Sequence, residues 1–240
     1  MNIALSSLAL QPISLKDRIV RADTLIFDVD GTLAETEGIH RRAFNAAFLE
    51  HGLEWYWDRG TYTKLLHVAG GKERLHAYAK TQPPSYRYSD RQLLEVHQAK
   101  TRHYARLMAQ HTCRLRPGVE AFIDAAIARR QRLAIATTTT FSNVEGLLSG
   151  TLGRQWKSMF AAVVAGDEVA RKKPAPDVYL EVLARLERPG EACLAVEDSA
   201  NGLKSASAAG VPVLVTRSEY FRDEDFSSAL AIVDDLTHLV

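Results

Sequence analysis

Two patterns of hydrophobic positions divide the chain. Between residues 39 and 110 the apolar side chains recur at helical spacing, and this segment contains no convincing strand pattern. Before and after it, short apolar runs alternate with helical segments. These runs predict strands at residues 24–28, 133–137, 162–165, 194–197, 213–215 and 231–233.

Helices are predicted around these strands, at residues 119–130, from about residue 142, at 177–186 and at 200–209. Strands that are apolar on both faces and alternate with helices are typical of a parallel sheet covered on both sides. We therefore predict an α/β fold, a Rossmann-like, doubly wound parallel sheet with a small α-helical cap domain inserted after the first strand. The predicted core comprises residues 1–36 and 112–240, and the predicted cap comprises residues 37–111.

Within the cap, helices are predicted at residues 39–51, at 72–80, and from Ser89 and Asp90 onward. Ligands of open α/β sheets bind at the carboxyl ends of the strands. A helical insertion after the first strand is therefore expected to lie over that edge of the sheet, as a cap on the binding site.

Composition narrows the class of protein. The chain has 240 residues, of which 46% are hydrophobic and 25% charged, with a formal net charge of +1. This balance gives no global attraction to nucleic acid or to a membrane. The two cysteines lack metal-ligand spacing, which suits a reducing compartment. Residues 1–15 lack a basic region and a cleavage site, so we interpret them as an extension rather than a signal peptide.

These features together predict a cytoplasmic enzyme. We expect a monomer whose partner is a small-molecule substrate, with neither nucleic acid nor membrane among its partners. No apolar stretch approaches the length of a membrane span.

Two acids follow the first predicted strand. Asp28 and Asp30 come directly after a buried apolar run and are followed by Gly31 and Thr32. Side by side, such carboxylates repel each other and each loses hydration, so a cation is the usual compensation. A hard cation such as Mg²⁺ prefers oxygen ligands and binds phosphate as well.

The same segment is compatible with two other structures. Asp and Gly also form ordinary turns at strand ends, and Asp-x-Asp-Gly also opens a calcium loop. The calcium loop fails here, because Leu33 and Ala34 stand where further ligands are needed and Ile39 occupies the twelfth position. Taken alone, the segment is also compatible with an ordinary turn.

Polar residues follow three further strands of the predicted sheet. Four strand ends thus meet at one edge, carrying Asp28 and Asp30, Thr137 to Thr140, Lys172-Lys173-Pro174, and Glu197-Asp198. A single polar strand end is usually a turn or a helix cap, but folding alone does not explain four. The combination of acids, a hydroxyl and an amine indicates Mg²⁺-assisted phosphoryl transfer.

The same ordered motifs, Asp28-x-Asp30-Gly31-Thr32, Thr137, Lys173-Pro174 and Glu197-Asp198, resemble the haloacid dehalogenase superfamily. The resemblance covers the chain from about residue 23. The position of the insertion is similar to that in the helically capped, β-phosphoglucomutase-like subgroup.

The resemblance implies roles for the first three motifs. Asp28 would be the nucleophile and form an aspartyl-phosphate. Asp30 would protonate the leaving oxygen and then accept a proton from water. Thr137 would hold a phosphoryl oxygen together with the backbone N–H of Thr138, whereas the side chains of residues 138–140 are interpreted as caps of the next helix.

The remaining motifs would supply charge. Lys173 would neutralise the transferring group and Asp28. The resemblance implies that Mg²⁺ is the cofactor and is held by Asp28, Asp30 and Asp198, with Glu197 assisting. Beside Lys173, Lys172 is interpreted as a solvated surface charge.

In such enzymes the cap selects the substrate. Gly70 and Gly71 precede a predicted helix, and Lys72 and Arg74 add positive charge, which together predict a second anion site. An ordinary glycine turn with a charged first helical turn is the alternative. The resemblance further implies that Glu35 and His40 contact sugar hydroxyls.

Several of these strings also resemble the CbbY group, namely residues 34–37, 55–58, 70–74 and 136–140. That resemblance implies a phosphatase for xylulose-1,5-bisphosphate, an inhibitor of ribulose-bisphosphate carboxylase, and hence a role in carbon fixation by the Calvin cycle. The alternatives are a phosphomutase of the β-phosphoglucomutase type, a broader sugar monophosphatase, and a non-catalytic binding protein. All the catalytic acids are present, which argues against the last.

Overall fold

The computed structural model describes residues 13–83, 87–110 and 113–240. Most of the predicted N-terminal extension (residues 1–12) and the predicted domain boundary at 111/112 lie outside the described residues. The domain boundaries stay predictions, as do the monomeric state and the cytoplasmic location.

The core is built on a six-stranded sheet in the order β3-β2-β1-β4-β5-β6, in which all strand pairs are parallel. The predicted doubly wound α/β fold is confirmed. Each predicted strand is present with its ends shifted by no more than one residue. The strands are β1 Thr24–Phe27, β2 Arg132–Ala136, β3 Ala162–Val164, β4 Cys193–Glu197, β5 Val213–Thr216 and β6 Ala231–Val233.

Nine α-helices occur among the described residues. They are α1 Leu15–Arg21, α2 Glu37–Glu50, α3 Arg59–Leu65, α4 Gly71–Ala79, α5 Asp90–Gln110, α6 Val119–Ala128, α7 Phe141–Thr151, α8 Asp177–Leu186 and α9 Ala200–Ala208. Short 3-10 helices occupy Trp156–Met159 and Gly190–Ala192. Helices α1 and α3 were not predicted.

The central strand β1 shows why these runs form buried strands. Successive side chains of a strand point to opposite faces. Leu25 and Phe27 belong to a core cluster that includes residues of α1, α6 and α7. Ile26, on the other face, belongs to a cluster that includes residues of α8 and α9. Burial on both faces therefore requires the continuous apolar sequence that predicted the strand.

Helices α2 to α5 form the segment predicted as the cap. Its interior is aromatic: Trp57 lies 4.6 Å from Phe44 and 4.9 Å from Phe48 between ring centroids. Asn45 fixes the backbone of Trp57 with one bond in each direction, at 2.9 and 2.8 Å. Tilted and edge-on aromatic pairs of this kind contribute beyond their buried area, and they belong to a hydrophobic cluster that also includes Ile26 of the sheet.

A capped start explains the unpredicted helix α3. The Asp58 side chain accepts a hydrogen bond from the Thr61 backbone N–H at 2.6 Å. Tyr62, one position further along, is fully buried. Capping and burial thus outweigh the weak helix propensity of Gly60 and the threonines.

In the described part of the chain, no helix has the length and apolar character that crossing a membrane requires.

Candidate active site

The site begins at the carboxyl end of β1, where Asp28 is 7% exposed. The Lys173 amine donates to Asp28 Oδ1 at 2.6 Å, to Glu197 Oε1 at 2.6 Å and to the Ala136 carbonyl at 2.8 Å. An ammonium group has three protons to donate, so all three are used. The carboxyl ends of β1, β2 and β4 are thereby joined through one side chain.

Charge pairing controls protonation at this centre. Burial favours the neutral form of Lys173, but the carboxylates of Asp28 and Glu197 outweigh it and raise the pKa of the amine. Burial is also the main cause that raises the pKa of Asp28 to about 7, although Lys173 opposes the shift. Asp28 is therefore a carboxylate whose ionisation depends on neighbouring positive charge.

Glu197 is fully buried and forms an ion pair with Lys173. Its Oε1 atom accepts from Tyr179 Oη at 2.6 Å as well as from Lys173. Burial and the negative charge of Glu197 raise the pKa of Tyr179 well above its usual range, so the phenol keeps its proton and donates. This buried acid is thus satisfied by two donors.

Asp198 is 1% exposed, and its Oδ1 atom accepts a hydrogen bond from Thr32 Oγ1 at 3.4 Å. Its Oδ2 atom has no hydrogen-bond partner, and burial, Asp28 and Glu197 raise its pKa well above the ordinary value. Ligand atoms of Asp28, Glu197 and Asp198 all lie within 4.8 Å of one another. Three clustered carboxylates with an unpartnered oxygen fit a divalent cation.

Gly31 makes room for this cluster. It has a φ of +84°, and a Cβ at this position would collide with the carboxylate of Asp198. Glycine is therefore required both by the backbone conformation and by the close approach of the acid.

Asp30, in the loop after β1, contacts residues at the start of helix α2. Its Oδ1 atom accepts from Thr36 Oγ1 and lies 3.2 Å from His40 Nε2. His40 is stacked on Tyr104, and its Nδ1 atom lies 2.8 Å from Lys100 Nζ. The second acid of the motif is therefore connected to a buried lysine of α5.

The surroundings of Asp30 and Lys100 shift the pKa values of both groups. Burial alone would raise the pKa of Asp30, but the charge and hydrogen bonds of His40 and Thr36 lower it to about 2. Burial lowers the pKa of Lys100 to about 8. Asp30 is accordingly ionised in this arrangement, and Lys100 is a cation confined to a poorly hydrated place.

Thr137 and Thr138 follow β2 as predicted. Thr137 is buried, and its hydroxyl accepts from the Thr139 backbone N–H at 3.2 Å. Thr140 is the N-cap residue of α7 but makes no side-chain cap hydrogen bond. The interpretation of residues 138–140 as helix caps thus finds no support in side-chain bonding at Thr140.

Two adjoining cavities lie between the core and helices α2 to α5. The smaller, about 60 Å³, is lined by Asp28, Lys173 and Asp198, and also by Thr137. The larger, about 370 Å³, is lined by cap residues that include His40, Gly71, Lys72 and Arg74, and by residues 138–140. Five residues line both: Asp30, Glu37, Gly70, Arg74 and Thr138.

The cationic residues of the larger cavity are held differently. Lys72 is exposed. Arg74 is 7% exposed, and it donates to the Leu65 carbonyl and to Tyr62 Oη, each at 3.1 Å. Arg74 therefore supports the fold of the cap as well as lining the cavity.

Two residues lie elsewhere than the sequence predicted. Glu35 lines neither cavity; its Oε1 atom lies 3.2 Å from Arg116 Nε and accepts from the Glu219 N–H at 3.2 Å. Its sugar-binding role stays a prediction without a supporting contact. Lys172, interpreted from the sequence as a solvated surface charge, is only partly exposed, because its amine pairs with Glu73 of α4 and lines the larger cavity.

Four residues at the site were missed from the sequence: Thr36, Lys100 and Tyr179, described above, and His97, which lines the larger cavity. Each sits within a helix pattern or at a helix start, where a polar residue normally faces solvent. The only available signal was the spacing of His97 and Lys100, which puts both on one side of α5.

Comparisons with known proteins agree with this site. Residues 22–210 match the haloacid dehalogenase-like hydrolase family. The chain is 50% identical over 213 residues to protein CbbY of Rhodobacter capsulatus, which covers 89% of this chain and 93% of the relative.

Two solved structures of CbbY from Rhodobacter sphaeroides are also similar. The complex with phosphate has a TM-score of 0.86 and 42% identity, and covers 91% of this chain and 96% of that one. A mutant in complex with xylulose-1,5-bisphosphate has a TM-score of 0.86 and 41% identity, and covers 90% and 96%. The chain therefore belongs to the haloacid dehalogenase-like hydrolases and is a phosphoric monoester hydrolase of the CbbY type.

Proposed function

We propose that this hydrolase is a Mg²⁺-dependent sugar-bisphosphate phosphatase that acts on xylulose-1,5-bisphosphate. One observation carries the proposal: the small cavity at Asp28 adjoins a larger one lined by Lys72, Arg74, Lys100 and Lys172. A substrate with a phosphoryl group at each end would place one beside Asp28 and the other among these cations. The xylulose-1,5-bisphosphate complex of a similar CbbY supports this choice of substrate.

Asp28 would act as the nucleophile. Lys173, bonded to Asp28 Oδ1, keeps the carboxylate oriented and balances its charge while a phosphoryl group approaches. Attack on phosphorus would form an aspartyl-phosphate and release the sugar oxygen. Water would then attack the phosphorus and release inorganic phosphate, which restores Asp28.

Asp30 would move the protons of both steps. It would donate one to the leaving sugar oxygen and later take one from the attacking water. Its contacts with His40 and Thr36 favour the ionised form, which suits the second step. Protonation for the first step requires that these contacts loosen as the substrate binds.

Asp28, Asp198 and the backbone carbonyl of Asp30 would hold the Mg²⁺, with Glu197 assisting. The unpartnered Asp198 Oδ2 and the cluster of carboxylates fit this role. When bound, the ion would neutralise the negative charge of the transferring phosphoryl group.

The proposal is tested by phosphate release from a panel of pentulose and hexose mono- and bisphosphates, with Mg²⁺ or with EDTA. We expect the fastest Mg²⁺-dependent release from xylulose-1,5-bisphosphate. Asp28→Asn should abolish it, whereas Asp124→Asn, which changes an exposed acid of α6, should not. Full activity of the Asp28→Asn variant would refute the proposed mechanism. Phosphate release from the monophosphates at the same rate as from xylulose-1,5-bisphosphate would refute the proposed substrate.

A sugar phosphomutase remains the alternative, because the same aspartyl-phosphate can be passed to a sugar hydroxyl. The panel distinguishes the two when it includes β-glucose 1-phosphate with a bisphosphate primer. Conversion of this sugar without release of phosphate would favour the mutase.

A further inference from the structure

The ion pair between Lys172 and Glu73 lies in the wall of the larger cavity. Lys172 follows β3 in the core, next to the catalytic Lys173, whereas Glu73 lies in the first turn of α4. The Lys172 amine lies 3.1 Å from each carboxylate oxygen of Glu73. The pair thus connects the core with the helical insertion directly beside the proposed substrate.

We propose that Lys172 determines specificity by binding the distal phosphoryl group of a bisphosphate, and that Glu73 occupies this position until the substrate displaces it. This inference rests on the proposed bisphosphatase function and assigns a role to two residues of the same cavity.

The surroundings of Glu73 fit an anion that can be exchanged. It is an acid near the N-terminus of α4, where free backbone N–H groups favour negative charge. Both Glu73 and Lys172 line the larger cavity. An incoming phosphoryl group would therefore find at this place the cation and the helix end that now face a carboxylate.

The pair is also weak enough to exchange. The side chain of Glu73 is 45% exposed and that of Lys172 is 23% exposed. Exposed ion pairs contribute little to stability, because water and salt screen them. A phosphoryl group carries up to two negative charges and offers more acceptor oxygens, so it competes well with one carboxylate for the amine.

Three other acids line the cavity. Asp30 accepts from Thr36 and contacts His40, and Glu37 accepts from Tyr62 Oη at 2.7 Å. Asp167 accepts from the Phe141 backbone N–H at 3.4 Å. Of the four acids, Glu73 is the one that pairs with Lys172, so its departure would free that amine for an incoming anion.

Gly70 permits the arrangement. A Cβ at this residue would collide with the Glu73 carboxylate and meet Lys172 Cδ at 2.8 Å. The glycine, with a φ of +89°, thus lets both side chains pack against the backbone that begins α4.

Two variants that each remove one of the opposite charges distinguish this role from that of an ion pair that only holds the core and α4 together. Lys172→Met and Glu73→Gln would both break such an ion pair, so both variants would shift the kinetics in the same direction. If Lys172 binds the distal phosphoryl group and Glu73 competes for it, the variants should shift the kinetics in opposite directions.

The experiment measures kcat/KM for xylulose-1,5-bisphosphate and for p-nitrophenyl phosphate, which carries one phosphoryl group. Lys172→Met should lower the ratio of the two values on the order of tenfold, as expected for one charge-assisted contact. Glu73→Gln should raise the ratio several-fold, mainly through a lower KM for the bisphosphate. Lys204→Met, which changes an exposed lysine of α9, should leave the ratio unchanged.

Thermal unfolding of each variant confirms that it is folded. Shifts of the ratio in the same direction for Lys172→Met and Glu73→Gln would overturn the inference, as would an unchanged ratio for Lys172→Met. If the unmodified protein releases phosphate from p-nitrophenyl phosphate but not from the bisphosphate, the proposed function itself fails, and the inference fails with it.

Discussion

Lys173 donates to Glu197 at the same 2.6 Å distance at which it donates to the proposed nucleophile Asp28. Glu197 therefore holds the amine through a second charged hydrogen bond, in addition to the one with the reacting group. The sequence predicted a metal-assisting role for Glu197, and the structure adds this second one.

Glu197→Gln should separate the two roles. The amide oxygen can still accept from Lys173 and Tyr179, but the charge that fixes the amine is lost. We expect kcat to fall by about tenfold at saturating Mg²⁺, the effect of losing roughly 1.4 kcal/mol of charge-assisted bonding. If Glu197 instead assists the metal, the Mg²⁺ concentration for half activity will rise. A titration of activity with Mg²⁺ measures both quantities.

Asp198→Asn should change stability in opposite directions with and without metal. Without metal, the variant removes a buried carboxyl group whose charged form is disfavoured by burial, Asp28 and Glu197, and whose Oδ2 atom lacks a partner. We expect a gain of about 1–2 kcal/mol, or roughly 2–8 °C in the unfolding midpoint.

With Mg²⁺ the order of the two proteins should reverse. A ligand at a hundred times its dissociation constant stabilises the native state by about 2.7 kcal/mol, and the variant should lose most of this gain. Scanning calorimetry at several Mg²⁺ concentrations, with Asp124→Asn as control, measures the effect. An equal Mg²⁺ shift in all three proteins would contradict a metal site at Asp198.

The strands show how far the sequence determines the fold. Runs such as 194–197 must be buried on both faces, so their hydrophobic pattern is continuous and their ends are polar. Parallel topology then brings those ends together, which is why Asp28, Lys173 and Asp198 could be grouped from sequence. In these strands the local hydrophobic pattern and the global fold therefore agree.

Contacts between separate elements could not be predicted in this way. Lys100 and His40 are 60 residues apart and meet only because α5 packs against α2. Lys172 looked like a surface lysine because nothing near it in sequence indicates Glu73 as a partner. Helix α3 was missed because its formation depends on the Asp58 cap and on burial of Tyr62 rather than on propensity.

Lys100→Met should stabilise the protein while reducing its activity. The pKa of Lys100 falls from 10.5 to about 8 in the folded protein because burial disfavours the cation. Below pH 8 both folded and unfolded states carry the proton, and the folded state bears the full penalty. Between pH 8 and 10.5 the unfolded state binds more protons, so the stability of the unmodified protein rises with pH.

The advantage of Lys100→Met should therefore be largest below pH 8, up to about 3 kcal/mol, and should disappear as pH approaches 10.5. Denaturant unfolding at several pH values, with the exposed Lys64→Met as control, measures it. The activity should fall because His40 loses the amine that contacts its Nδ1 atom. An advantage that is independent of pH would argue against a buried charge at Lys100.

Gly31→Ala and Gly52→Ala form a matched pair. Both glycines have a positive φ, +84° and +65°, so each alanine should cost about 1 kcal/mol from the backbone. Only at Gly31 would the new methyl group also collide with Asp198. We expect Gly31→Ala to lower the free energy of unfolding by about 1–3 kcal/mol more than Gly52→Ala does, because overpacking typically costs this much. Equal losses in chemical denaturation would show that the loop can move away from Asp198 freely.

Lys72→Ala and Arg74→Ala should differ, although the sequence placed both in the second anion site. Lys72 is exposed, so its loss should raise the KM for a bisphosphate without affecting stability. Arg74 is bonded to Leu65 and Tyr62, and its guanidinium lies 5.2 Å from the centre of the Tyr62 ring.

Arg74→Ala should therefore raise the KM and also lower the free energy of unfolding by about 2 kcal/mol, because two charged hydrogen bonds are lost. Arg74→Lys keeps the charge but not the planar fork, so it should recover the KM more fully than the stability. Bisphosphate kinetics and urea unfolding, carried out on the same four proteins, separate the two effects. If Arg74→Ala changes only the stability, then Arg74 holds the cap together and the distal phosphoryl group is bound by the lysines alone.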